Sequence, residues 1–434
     1  MSERTILVWF RNDLRIHDNE ILLEATRKAD KILPVYCFDP FYFNTNINGA
    51  FKTGNFRARF LLESVADLRE HLRSLGGDLI IRIGNPADIL PQLAQEYQVS
   101  EVYHHREVAF EETGISEQVE AALWKNRLNL KHFIGHTLYH KEDLPFPIKD
   151  IPDSFAVFRK KVERDSSVRP VTESPAHLNI PEIKDAGGLP YLSDLGLDVP
   201  FDDPRANTHF TGGESSALHA LQIYFDKTIP LGTKAARNNP QIIAEHSSKL
   251  SPWLALGCLS PRQVYWEVMR NEGNSGSQLI LELLWRDYFR FMFKKHGQKF
   301  FKPEGFKNEA PETAINQDML FTQWKQGTTG IPYIDAVMHE LNATGYINNY
   351  NRQVVAGYLI RDLKVDWTRG AAYFEEKLID YSPASNWGNW AFVAGVGNDP
   401  RDNRNFIQRQ AAELETSSAF INTWLPVKQT AGAA

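Results

Sequence analysis

Residues 385–401 read SNWGNWAFVAGVGNDPR, where two tryptophans, three asparagines and three glycines stand beside a Val-Ala-Gly-Val run. Asn and Gly are both poor in helix interiors, so something other than helix stability selects this mixture. The stretch calls for a function that uses indoles and carboxamides packed against bare glycine backbone. Other residues fall into chemically suggestive groups. Glu282 and Arg286 lie four apart in ILELLWRDYFRF, on one helix face with Leu279 and Leu283 and with Trp285 at its edge. That spacing allows a plain surface ion pair, and the apolar flanks allow two half-buried groups that each need a partner. SSKLSPWLALGCLSPR (247–262), with KAARN (234–238), offers hydroxyls, backbone amides and a cation for a phosphate. The plainer reading of the same stretch is Ser251 capping a helix before Pro252.

Arg352 and Asp380 both occur in apolar settings and can form a buried pair. Trp367 and Trp390 stand on segments expected to pack together. Tryptophans so placed are ordinarily core, but a row of indoles can also pass single electrons to an excited chromophore. Hydrolytic and zinc chemistry find no footing, because the chain has no H-E-x-x-H, no Cys–His zinc spacing and no G-x-S-x-G. The His104–His105 pair ends an expected strand and reads as a polar strand end.

The elements that must position these groups follow from periodicity. Over the first 135 residues, strand-like runs at 5–10, 31–38, 78–84, 101–105 and 129–135 alternate with helical stretches, the longest at 55–75. That rhythm predicts a doubly wound parallel sheet covered on both faces. No G-x-G-x-x-G follows the first strand, which argues against a dinucleotide site there. Residues 136–205 are rich in Pro, Asp and Gly and read as a long connector wrapped over the first domain. From 206 to 434 helical periodicity takes over, most clearly at 277–296, 331–344, 351–363 and 370–380. The fold class expected is therefore α/β plus all-α, with domains at 1–135 and 206–434 and a linker at 136–205.

Composition agrees with a globular protein of two or three domains, 42% hydrophobic and 24% charged over 434 residues. No apolar run approaches the roughly 18 residues of a membrane span, and the first residues lack a secretion pattern. Cys37 and Cys258 are the only cysteines, which excludes a disulfide framework. A cytoplasmic enzyme is expected. The net charge of −6 argues weakly against a nucleic-acid partner, yet residues 286–307 carry seven Lys or Arg interleaved with aromatics. That mixture suits phosphates and stacked bases, or else a solvated helix face.

Taken together, LVWFRNDLRIHDNE, SPWLALGCLSPR, ELLWRDYFRF, TGYINN and above all SNWGNW followed by FVAGVGNDPR make the sequence resemble the photolyase/cryptochrome family, most closely its DASH-type cryptochromes. The resemblance spans nearly the whole chain. It implies a Rossmann-like antenna domain, a long linker and an all-helical FAD-binding domain. It places Ser247, Ser248, Lys249, Leu250 and Ser251 at the flavin phosphates with Arg237 nearby, and Glu282, Arg286, Asn349 and Ser382 in the cofactor pocket. Arg352 and Asp380 become the ion pair beside the flavin ring, and Asn386 the residue next to its reactive central nitrogen. Trp390 and Trp367 become the first two members of an electron-transfer chain. Glu107 becomes the acid that holds a methenyltetrahydrofolate antenna, and Glu282, Trp285, Asn349, Tyr350 and Phe392 line the lesion pocket.

The sequence departs from the family in places. Thr233 replaces a pocket tyrosine, and Ser382 replaces a second aspartate. Ala314 stands where the third tryptophan belongs, leaving Trp324 or Tyr373 to end the chain. Tyr350 replaces an arginine that assists base flipping, and Phe392 replaces a Trp or Tyr. The expectation is a monomeric, FAD-dependent, blue-light photolyase that repairs cyclobutane pyrimidine dimers, preferring single-stranded DNA and using no membrane. The alternative is a blue-light signalling photoreceptor without significant repair activity.

Overall fold

A computed structural model describes residues 3–46, 49–226, 247–272, 278–398 and 418–425. Five aliphatic runs form parallel strands: β1 (Thr5–Phe10), β2 (Lys31–Phe38), β3 (Ile80–Ile83), β4 (Val99–His105) and β5 (Leu130–Phe133). Their order across the sheet is β3-β2-β1-β4-β5. Every residue of β1 is buried, as a strand covered on both faces requires. The covering helices are α1 (Glu20–Lys28), α2 (Asn55–Ser74), α3 (Pro86–Glu96) and α4 (Phe110–Lys125). Asn19 caps α1 by accepting from the Leu22 amide, and Asn85 caps α3 ahead of Pro86. The strand order reverses between β1 and β4, so the crevice where such sheets bind ligands opens beyond Phe10 and His105.

The proline-rich stretch that follows contains one α-helix, α5 (Phe155–Asp165), and otherwise runs as coil and short turns. It lies over the first domain as expected. The Leu178 amide donates to Leu75 O, the Ile32 amide to Asn179 O and the Ile81 amide to Ala186 O. The rest of the described chain is helical, from α6 (Glu214–Asp226) and α7 (Ser251–Ala255) through α8 (Pro261–Glu272) to α9 (Gln278–His296). Then come α10 (Gln317–Gln326), α11 (Pro332–Thr344), α12 (Asn349–Gly357), α13 (Trp367–Lys377), α14 (Pro383–Val393) and α15 (Ser418–Trp424). Among the described residues no strand follows β5, and no helix is long and apolar enough to cross a membrane. The structure thus has the α/β plus all-α class expected.

Helix α9 is the central post. Leu283, Leu284, Tyr288, Met292 and Phe293 are all within 2% of full burial. Its Asp287 carboxylate accepts from the Leu138 and Tyr139 amides at 3.0 and 2.9 Å, fastening the start of the linker. Burial pushes the Asp287 pKa up to about 7. Helix α14 packs on α9 because Gly388 has no side chain; a Cβ there would come 2.4 Å from Phe289 Cδ1. This is the work done by the glycine of SNWGNW. The loop after β1 joins the two domains, with Arg262 paired to Asp18 at 2.6 Å and Glu214 accepting from the Ile16 and His17 amides.

The stretch 286–307 is more structural than its composition suggests. Arg290 is buried, Lys295 pairs with Asp153 at 2.7 Å, and Phe293 and Phe300 are core. Lys294, Lys299, Lys302 and Lys307 remain exposed. The interleaved aromatics therefore serve packing, not base stacking, and of the charged and aromatic side chains only lysines are exposed.

Candidate functional site

An open pocket lies between α12, α13 and α14. Asn349, Arg352, Asp380, Ser382, Asn386 and Trp390 all line it, so six residues singled out by type and resemblance converge on one space. Gln353, Tyr381, Ser385 and Asn389 share the lining. Sequence reasoning passed over those four, although Asn389 falls one turn from Asn386 and so on the same helix face.

Arg352 Nη2 donates to Asp380 Oδ2 at 2.8 Å, and Arg352 Nε donates to Ile347 O at 2.8 Å. The Asp380 side chain is 2% exposed, and its Oδ1 is buried without a partner. A buried carboxylate oxygen left orphaned is costly, and here it belongs to a residue that lines the cavity. It is fitted to receive a donor from a bound group, such as the imide N–H of a flavin ring. Asn386 donates its amide to Ala371 O at 2.9 Å, which leaves Oδ1 for the cavity side. The residues present therefore fit a flavin.

Trp390 is 3% exposed and meets Phe374 at 5.1 Å and Trp324 at 6.2 Å between ring centroids. Trp324 in turn meets Tyr373 at 5.8 Å, and its indole N–H donates to Val355 O. The ring neighbour of Trp367 is Trp387 at 5.9 Å. Trp367 opens α13, and Gly370, one turn further along that helix, lies so close to Trp390 that a Cβ on it would come 2.3 Å from Trp390 Cη2. Of the two residues proposed from sequence as substitutes for the missing third tryptophan, Trp324 thus meets Trp390 directly and Tyr373 meets Trp324.

The segment Ser247–Ser251 leads into α7. Leu250 holds the cap position and Ser251 is the first helical residue, so the Ser251 hydroxyl is not spent as an N-cap. Lys249 adopts φ +52° and its Nζ donates to Thr208 Oγ1 at 2.7 Å. The Ser251 and Ser247 hydroxyls face the Tyr346 phenol, whose pKa burial raises to about 12. Arg352 lies over the Tyr346 ring at 5.4 Å, joining this segment to the cavity. Arg237 and Thr233 lie outside the described residues.

Glu282 and Arg286 do not pair with each other. Arg286 donates to the carbonyls of His136 and, at 3.0 Å, Leu254. Glu282 is exposed on α9 and is not part of the cavity lining; Gln278 Nε2 lies 3.4 Å away, and desolvation by its neighbours raises the carboxyl pKa. Trp285, one turn on, is half-buried and meets Phe392 edge-on at 5.9 Å. Asn349 is exposed at the cavity mouth and Tyr350 beside it is half-buried.

Glu107 lies two residues beyond β4, 2% exposed, at the seam between the sheet and α9. Its carboxylate accepts from Asn12 Nδ2 at 3.0 Å and Arg290 Nη2 at 2.8 Å. Burial raises its pKa, but Arg290 and Arg11 more than reverse that, so Glu107 is ionised. Neighbouring Glu112 is pushed up to about 8 by burial and by the Glu107 charge. His136 Nε2 sits 3.3 Å from Glu107 but out of line for a hydrogen bond, and His105 Nε2 is likewise without a partner. His105 Nδ1 meets Asp13 at 2.6 Å, so the histidines at 104–105 are buried, not a plain strand end. A second open pocket is lined by Asn12, Glu112, Trp9, Arg11, Lys52 and Tyr381. Tyr381 lines both cavities. Among the described residues no cluster of His, Cys, Asp or Glu could hold a metal ion.

Comparison with known proteins agrees with this architecture. The DNA photolyase family matches residues 6–178, and the FAD binding domain of DNA photolyase matches residues 279–433. The Cryptochrome DASH of Gloeobacter violaceus is 45% identical over 433 residues, covering 98% of this chain and 86% of that protein. The solved cryptochrome of Synechocystis sp. superposes with a TM-score of 0.89 at 40% identity, covering 98% of this chain and 90% of that one. An archaeal photolyase from Sulfolobus tokodaii, solved with two FAD molecules, gives 0.81 at 26% identity, covering 97% and 90%. With a parallel five-stranded domain, a helical FAD-binding domain and relatives this near over almost its full length, the chain belongs to the photolyase/cryptochrome family.

Proposed function

We propose that the protein is a blue-light-driven photolyase for cyclobutane pyrimidine dimers that acts by preference on single-stranded DNA. The observation that carries this reading is the placement of an indole platform beside the flavin cavity. Trp285 packs on Phe392, and Phe392 shares α14 with the cavity-lining Asn386 and Trp390. Bound reduced flavin, excited by blue light, supplies the electron that splits the dimer and receives it back. The chain's own residues hold and feed that group. Arg352 and Asp380 fix the ring, Asn386 offers an amide oxygen to its central nitrogen, and Ser247–Ser251 with Lys249 receive the phosphates. Trp390 is the indole that lines the cavity, and Trp324 lies behind it in ring contact.

The single-strand preference follows from Tyr350. An arginine there would help hold a base out of a duplex, whereas an unpaired lesion avoids most of the flipping cost. Asn349 at the mouth and Glu282, exposed on α9 one turn before Trp285, are the hydrogen-bonding partners offered to the dimer. Glu107 is proposed to hold a folate antenna, supported by its ionised, buried carboxylate and the unpartnered imidazole nitrogens beside it. A second reading, a light sensor that photoreduces flavin and repairs nothing, draws on the same Trp390–Trp324–Tyr373 contacts. Light-dependent loss of dimers from a damaged oligonucleotide separates the two readings, and no loss would leave the sensor.

A further inference from the structure

We infer that Phe155, in the linker, is a positioning residue for the lesion: it backs Trp285 and fixes the plane on which a dimer base stacks. This rests on the lesion-pocket reading above. Phe155 opens α5 and is 5% exposed, so it reaches no substrate itself. Its ring lies parallel to the Trp285 indole, 12° between planes and 3.6 Å between centroids. At that separation the rings overlap almost fully, because van der Waals contact alone takes up about 3.5 Å. Aromatic pairs left to packing prefer an offset or an edge, with centroids about 4.5–7 Å apart. The other pairs around this indole do so, with Tyr288 at 5.9 Å, Phe289 at 5.6 Å and Phe392 at 5.9 Å.

Full overlap has two consequences. It occupies one whole face of Trp285, leaving only the opposite face and the outer edge to meet a base. It also removes the tilt that a half-buried indole would otherwise keep. The linker is pinned so that Phe155 cannot drift, since the Tyr288 hydroxyl donates to Pro152 O at 3.0 Å. Lys295 Nζ reaches Ile151 O at 2.8 Å and Asp153 Oδ1 at 2.7 Å. Three consecutive linker residues, Ile151 to Asp153, are thus anchored on the same helix that carries Trp285, as a surface for precise stacking requires.

The test compares Phe155→Leu with Phe158→Leu, a neighbour on α5 that is fully buried but has no ring contact with Trp285. Affinity is measured for one single-stranded oligonucleotide with and without a central thymine dimer, beside FAD content, melting temperature and dimers split per photon at saturating DNA. Phe155→Leu should weaken binding of the damaged strand about three- to tenfold, the scale of one lost aromatic stack. Undamaged-strand affinity, FAD content and yield at saturation should hold. Phe158→Leu should lower the melting temperature and leave the preference for damage intact. Equal loss of preference in both variants, or none in Phe155→Leu, overturns the assignment. If the leucine variant does not fold, Phe155→Met takes its place, and failure of both to fold makes Phe155 a core residue and overturns it as well. A wild type with no preference for damage overturns the repair reading, and this inference with it.

Discussion

Arg352 holds one oxygen of Asp380 at 2.8 Å and leaves the other buried with no partner at all. The pair is thus half-satisfied in the protein alone, and the unsatisfied half belongs to a carboxylate that lines the proposed flavin cavity. Arg352→Ala would strip the remaining partner and strand a buried charge, at a cost of roughly 3–5 kcal/mol. The purified variant should be colourless or poorly loaded with FAD, with a melting temperature that no longer rises on adding FAD. Full flavin content by absorbance at 450 nm would remove the pair from the site.

Gly370 is a close contact between α13 and the Trp390 indole. A methyl there would sit 2.3 Å from Trp390 Cη2 and 2.6 Å from Leu359 Cδ2. Gly370→Ala should force the indole toward the cavity, costing roughly 1–3 kcal/mol in overpacking. Lower FAD content and slower flavin photoreduction are expected together. Stability lost without any change in photoreduction would mean that Trp390 lies off the electron path.

Trp390→Phe keeps an aromatic ring but raises the cost of oxidising it, so flavin photoreduction by an external reductant should slow severely. Trp324→Phe and Trp367→Phe test the two exits behind it. Each should slow photoreduction partially, since the first hop survives and one route remains. Unchanged kinetics in Trp390→Phe would redirect the electron path to Trp387, the other indole of that helix.

The latch between the domains titrates. Glu214 is held by two backbone amides and by His17 and His71, and despite burial these donors keep its pKa below the usual carboxylate range. The hydrogen bond to Glu214 raises the pKa of His71. The stabilisation from His71 is complete below its ordinary value of about 6.5 and is lost as pH rises through its higher folded value. The part from Glu214 is present above its unfolded value and fades as pH falls below it. From pH 5.5 to 8.5 the wild-type melting temperature should fall more than that of His71→Gln. Parallel curves would show that the latch carries no linkage.

Glu107→Gln removes the charge that Arg290 and Asn12 now share. Near-ultraviolet sensitisation by added folate should disappear, while repair by directly excited flavin persists. A wild type that never binds folate would refute the antenna assignment.

Much of this was legible along the chain. The strands at 5–10 and 31–38 match β1 and β2 residue for residue, because continuous aliphatic runs between turn residues admit little else. The helix expected over 351–363 instead divides into α12 and a π-helical turn at Tyr358–Asp362. Periodicity averages over such an extra residue and cannot show it. Partner choice was harder still. The Glu282–Arg286 spacing suggested an ion pair, but backbone carbonyls of His136 and Leu254 capture Arg286 instead. The attachments of Phe155 to Trp285 and of Glu107 to Arg290 join residues more than a hundred positions apart, and nothing local announces them.

The central claim is that this flavoprotein splits pyrimidine dimers with light, and best on single strands. The direct measurement is the number of dimers lost per absorbed photon when dithionite-reduced, FAD-loaded protein is illuminated with blue light on matched single-stranded and duplex oligonucleotides. The account predicts efficient loss from the single strand, much less from the duplex, and none in the dark. No loss from the single strand, with FAD bound and fully reduced, would contradict it.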